Sequence, residues 1–132
     1  MTDEKCVSLA VCGLHMRGLA LNHQLTALGA SYQESIFTAP GYRMKLIEGT
    51  IEKPFLSACE DGYSFEVEIW KIPVSRLGEF LIGIPAPLAL GKIRLSDGRE
   101  VTGFIGQAGY EQKLKDISEY GGWKNYTGQN TA

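Results

Sequence analysis

The residues of this chain best suited to chemistry lie between positions 13 and 23. Gly13 and Gly18 bracket Leu14, His15, Met16 and Arg17, and the only two histidines, His15 and His23, stand at the two ends of this stretch. An unperturbed imidazole titrates at about pH 6.5, so each histidine is a candidate general acid or base. Each also has a structural alternative: His15 orienting the loop through a side-chain hydrogen bond, His23 bonding to local backbone. The glycines allow backbone angles closed to other residues. A loop that runs directly into a helix start gathers unpaired N–H groups, which, with the helix dipole, suit an anion. Gly13, Leu14, Met16, Arg17 and Asn22 are therefore candidate binding residues, and Asn22 is also a candidate N-cap. Arg43, beside Tyr42, adds a guanidinium that grips a carboxylate by two parallel hydrogen bonds, where an ammonium offers a point charge. Its alternative is an exposed strand arginine. Together these residues predict a site for a small anion such as a carboxylate, with a histidine moving a proton.

Other reactive groups give weaker signals. Cys12, beside the loop, is either a nucleophile or a small buried hydrophobe, and no paired base is visible to activate it. Cys6, Cys12 and Cys59 are odd in number and lack metal-ligand spacing, which predicts reduced thiols and implies neither a metal nor a cofactor. Glu66 and Glu68 share one face of a strand, as paired carboxylates or, as is commoner, on a wet surface.

The elements that must position these groups follow from periodicity. Residues 7–12 form a short apolar run that reads as a buried first strand, and a helix is expected from Asn22 through Leu25 and Leu28 to Gly29. Residues 30–37 and 42–47 alternate large and polar side chains around Thr38-Ala39-Pro40-Gly41, a hairpin or a strand with a corner. An irregular excursion surrounds a short strand at 55–58. Residues 63–72 are the cleanest strand, with Tyr63, Phe65, Val67 and Ile69 on one face. Pro73 opens a helix on which Val74, Leu77, Phe80 and Leu81 recur. Two prolines hold 84–88 extended. Strands at 90–95 and 99–106 flank a Ser96-Asp97-Gly98 turn, and 110–120 is helical in pattern. Trp123 and Tyr126 anchor the tail, and 126–132 are expected to fray. The sum is an α+β fold, a small closed or partly closed mixed or antiparallel β-barrel with two to three flanking helices.

Size and charge agree with one domain over residues 1–132. The chain has 132 residues, 44% of them hydrophobic, with a formal net charge of -2. That balance gives no electrostatic reason for a nucleic-acid or anionic-membrane partner. No stretch approaches the roughly 20 apolar residues of a membrane span. The acidic start, MTDEK, has the wrong charge for a secretory signal, so a cytoplasmic protein is expected.

Five stretches together carry a resemblance: LAVCGLHMRGLALNHQL at 9–25, TAPGYRMKL at 38–46, EVEIWKIP at 66–73, IPAPLALGKIRLSDGREVTGF at 84–104 and DISEYGGWKNY at 116–126. In this order they resemble the allophanate hydrolase C-terminal domain, within the gamma-glutamyl cyclotransferase-like superfamily. The resemblance implies that superfamily's fold and a substrate-cradling first loop, here Cys12-Gly13-Leu14-His15, in which only the glycine of the Tyr-Gly-Ser-Leu pattern remains. The cyclotransferases' catalytic glutamate falls near Ile84-Pro85-Ala86-Pro87, where this chain has no carboxylate, so glutamyl cyclotransfer is disfavoured. The implied role is that of a stand-alone helper domain, binding a small carboxylate or carbamate anion and decarboxylating N-carboxycarbamate in allophanate metabolism. The alternative is a non-catalytic module that binds an acidic metabolite or docks on a separately encoded amidase. A homodimer is compatible with either. Lacking an amidase Ser-Ser-Lys constellation, the chain is not expected to hydrolyse allophanate itself.

Overall fold

The computed structural model describes residues 5–128. The period-two stretches form strands β1 (Cys6–Val11), β2 (Ser31–Phe37), β3 (Tyr42–Ile47), β4 (Lys53–Ala58), β5 (Glu66–Pro73), β6 (Leu88–Arg94), β7 (Glu100–Gly106) and the two-residue β8 (Lys115–Asp116). The helices are α1 (Asn22–Thr26), α2 (Val74–Ile82) and α3 (Trp123–Thr127). Five strands make one sheet in the order β2-β5-β1-β7-β6, and three make a second in the order β4-β3-β8. Within the larger sheet β1 runs parallel to β7 and antiparallel to β5.

Alternation along β1 explains the layers. Ala10 and Cys12 point into a core shared with the small sheet, where Met44, Leu56, Phe65 and Val67 meet them. Leu9 and Val11 point the other way, into a core closed by Met16, Leu25 and Phe80 of the loop, α1 and α2. The central strand is therefore buried on both faces, which accounts for its unbroken apolar run. Its end, where the chain turns into the glycine loop, opens between the layers.

Several expectations are corrected. The sheet is not closed into a barrel: at the Thr38-Ala39-Pro40-Gly41 corner the chain leaves β2 for the second sheet, and one bridge, Thr38 to Leu95, joins the two edges. Buried Thr38 fixes the corner by accepting the Phe65 N–H at its Oγ1, 3.1 Å away. Residues 110–120 are not one helix but two 3₁₀ turns around β8. The edge of β3 recruits this segment, Met44 O accepting the Ile117 N–H, while Asp116 ends the strand by accepting the Ser118 N–H. Pro85 to Leu88 form a turn rather than an extended link, with Leu88 N–H donating to Pro85 O and a cis peptide before Pro87. Leu21, not Asn22, stands at the cap of α1. Tyr126 and Thr127, expected to begin the frayed tail, complete α3, with Tyr126 against the buried Trp123; residues 129–132 lie outside the described residues. No described helix is long and apolar enough to cross a membrane.

Candidate functional site

A cavity of about 220 Å³ opens where β1 ends, bounded by Gly13, Leu14 and His15 of the loop, Gln24 of α1, Lys53 and Pro54 at the start of β4, and the Gly83-Ile84-Pro85 turn after α2. Leu88 and Phe104 close one side and Cys12 lies beside the glycine. That is the volume of a ligand of under a dozen heavy atoms, since a cavity of about 150 Å³ accepts benzene. Gly13 has to be a glycine here, because a Cβ would sit 2.5 Å from Pro54 Cγ. The close approach of β1's end to Pro54 brings the loop and β4 together around one space.

His15 is held in the cavity by ring packing and by hydrogen bonds. Its ring stacks on Phe104 at 5.1 Å and 14°, and meets Phe80 edge-on at 5.1 Å. Nε2 lies 2.8 Å from Gln24 Oε1, and Asn22 Nδ2 donates to the His15 carbonyl at 2.7 Å. Burial holds the imidazole below its usual 6.5, a shift that the Gln24 hydrogen bond partly opposes and that nearby His23 and Lys53 reinforce. The ring is therefore neutral at pH 7. A histidine whose charged form is disfavoured by folding takes up its proton more readily when unfolded. Stability is thus full above about 6.5 and declines as pH falls below that value toward the folded pKa. Urea unfolding between pH 7.5 and 5 is expected to show this loss, and a His15→Gln variant is expected to lack that part of the slope.

Lys53 supplies the positive charge. It is half-buried, and among the described residues no carboxylate lies within ion-pair distance of its ammonium. Among the described residues no Asp or Glu lines the cavity. Its charged complement is one unpaired ammonium beside one neutral imidazole, framed by apolar walls. In such surroundings a lone positive group favours negative over positive charge.

The other predicted residues are placed elsewhere. Met16 is buried in the helix-side core. Asn22 acts through His15's carbonyl. His23 is exposed, with Nδ1 3.1 Å from Ala20 O. Tyr42 is buried in the inter-sheet core, its hydroxyl accepting the Arg94 N–H. Arg43 pairs with Asp116 at 3.0 Å and does not line the cavity. Arg17 answers a different anion: its backbone N–H donates at 2.8 Å, and its Nε at 3.3 Å, to Glu68 of β5. Glu68 is 1% exposed, which corrects the expectation of a wet strand face. The amide at the far end of the loop is thus occupied by the chain's own carboxylate, and the open part is Gly13 to His15.

Lys53 and Gln24 have no distinguishing signal in the sequence. Lys53 belongs to an irregular stretch distant in sequence from the loop, and only the packing of Pro54 on Gly13 brings it in. Cys12 takes the structural of its two alternatives: it is buried, and desolvation pushes its thiol up to about 12. Because the thiolate is the reactive form, iodoacetamide at about pH 8, near the pKa of a free thiol, is expected to label Cys6 and leave Cys12 unmodified in the native protein, as mass spectrometry of the peptides would show.

The family model for the allophanate hydrolase C-terminal domain matches residues 7–128. The urea amidolyase of Lachancea kluyveri is 37% identical over 132 residues, covering 96% of this chain and 7% of the relative. The chain therefore spans a small fraction of the curated relatives it matches. Among solved structures, a uropathogenic E. coli-specific protein superposes with a TM-score of 0.89 at 34% identity, covering 96% of this chain and 99% of its own. The allophanate hydrolase of Kluyveromyces lactis superposes at 0.88 and 33% identity, with 95% of this chain covering 21% of it. A mouse AIG2-like protein, at 16% identity and a TM-score of 0.62, shares the fold alone.

Proposed function

The chain belongs to the allophanate hydrolase C-terminal domain family, and from that premise we propose that its cavity binds a small dicarboxylate-like anion and decarboxylates N-carboxycarbamate. The observation that carries this reading is the unpaired Lys53 beside a desolvated His15 in a cavity without carboxylates. One carboxylate of the substrate rests on the Lys53 ammonium. The second negative charge raises the pKa of His15 by Coulombic attraction, so binding takes up a proton and a second cation forms as the dianion enters. The C–N bond to one carboxylate then breaks, carbon dioxide leaves toward the apolar wall, and the electron pair remains on nitrogen. That nitrogen takes the proton from the imidazolium, giving the carbamate anion and a neutral imidazole. Fixed positive groups in a site of low polarity stabilise the charge that develops on the nitrogen and remaining carboxylate.

A second reading, docking on a separately encoded amidase, is favoured by the outer face of α2. Val74, Leu81 and Ile82 are exposed there, Ile82 to 87%, and the face runs into the Ile84-Pro85 lip of the cavity. Exposed apolar clusters of this kind suit a protein partner.

The test supplies N-carboxycarbamate from allophanate with an amidase that lacks this domain, and follows the release of carbon dioxide. The chain is expected to accelerate release, and His15→Ala is expected to abolish the acceleration. If the chain leaves the rate unchanged, the decarboxylase reading is contradicted.

A further inference from the structure

We propose that Gln24 is a positioning residue: it holds His15 as its Nε2–H tautomer and so makes Nδ1 the atom through which the site takes up and delivers its proton. An amide oxygen only accepts hydrogen bonds, so at 2.8 Å from Gln24 Oε1 it is Nε2 that carries the hydrogen. In a neutral imidazole the other nitrogen is then a bare lone pair, and among the described residues Nδ1 has no hydrogen-bond partner. Phe104, stacked on the ring, and Phe80, edge-on to it, pack together against the imidazole and oppose its rotation, and its backbone is tied to the same helix by Asn22. Residues 22 and 24, both on α1, thus fix the carbonyl and the ring of one loop histidine.

The surroundings leave Gln24 as the group that selects the tautomer. The titratable groups around the ring are Cys12 at the end of β1, Lys53 on β4 and His23 on α1, while α2 and β7 present Phe80 and Phe104. None of these is a carboxylate that could hold a proton on Nδ1. The role of Nδ1 in proton transfer rests on the decarboxylation reading above; the hold of Gln24 on the ring rests on geometry alone.

The test uses protein labelled with ¹⁵N-histidine and long-range ¹H–¹⁵N correlation spectra across pH. Wild type above its His15 titration is expected to show a protonated Nε2 and a bare Nδ1. Gln24→Leu is expected to mix the tautomers. Gln24→Glu retains an acceptor at the same place, and is expected to keep the wild-type tautomer while moving the His15 titration to higher pH. Methanedisulfonate, ionised throughout this range, then reports the coupling: its affinity is expected to rise as pH falls through the His15 titration, at higher pH in Gln24→Glu than in wild type. An Nδ1–H tautomer in wild type overturns the proposal, as does a Gln24→Leu protein that is folded with tautomer and titration unchanged. A wild-type tautomer that responds to Gln24 with no methanedisulfonate binding overturns the proton-delivery half and the anion-binding reading, and leaves the tautomer assignment standing.

Discussion

Replacing Glu68 with alanine is expected to remove about 3–5 kcal/mol of folding stability, because it strands the Arg17 backbone N–H and the Trp70 indole N–H. The carboxylate accepts the Arg17 N–H at 2.8 Å and Trp70 Nε1–H at 3.2 Å, and it faces Arg17 Nε at 3.3 Å and Lys124 Nζ at 3.6 Å. It therefore ties the glycine loop and α3 to the middle of β5. Removing it strands donors that water reaches poorly, and each buried unsatisfied donor costs about 1–3 kcal/mol. Arg17→Ala is expected to cost much less. The Arg17 side chain is 51% exposed, and Glu68 would keep the backbone N–H, the indole and the ammonium. Urea unfolding of the two variants against wild type checks both the magnitude and the order.

Lys53→Met is expected to act in the opposite way, on binding rather than on stability. Methionine keeps the unbranched stem against the cavity wall and removes the charge. No ion pair is lost, because among the described residues Lys53 has no carboxylate partner. Stability should change by less than about 1 kcal/mol, as for substitutions that touch no buried network. The affinity for malonate should fall by about 10- to 100-fold, since a hydrogen bond to a charged group contributes about 1.5–3 kcal/mol. Isothermal titration of both proteins at neutral pH measures this difference. Equal affinities would show that the anion is held elsewhere.

The parts of this molecule that are legible in its sequence are the local ones. The run ending at Val11, the glycine loop with His15, the period-two stretch of β5 and the Ser96-Asp97-Gly98 turn all show in the spacing of neighbouring residues. What depends on distant packing does not. Nothing in residues 48–62 marks Lys53 as the cation of a cavity, because its place follows from Pro54 resting where Gly13 has no side chain. Glu68 reads as a wet carboxylate because alternation alone does not say that both faces of β5 are covered. Arg43 reads as an anion ligand through its guanidinium, and its strand instead turns it toward Asp116 at the edge of the small sheet. The 110–120 segment carries a helical pattern, yet the open edge of β3 takes it as a strand and two tight turns.

The proposed anion site is the cavity of His15 and Lys53. A titration of ¹⁵N-labelled protein with malonate, followed by amide shifts, tests it most directly. Saturable shifts centred on Gly13, Leu14, His15, Gln24 and Lys53, with Arg17 and Arg43 little changed, are the predicted result. Shifts centred on Arg43, or none at high malonate, would contradict it.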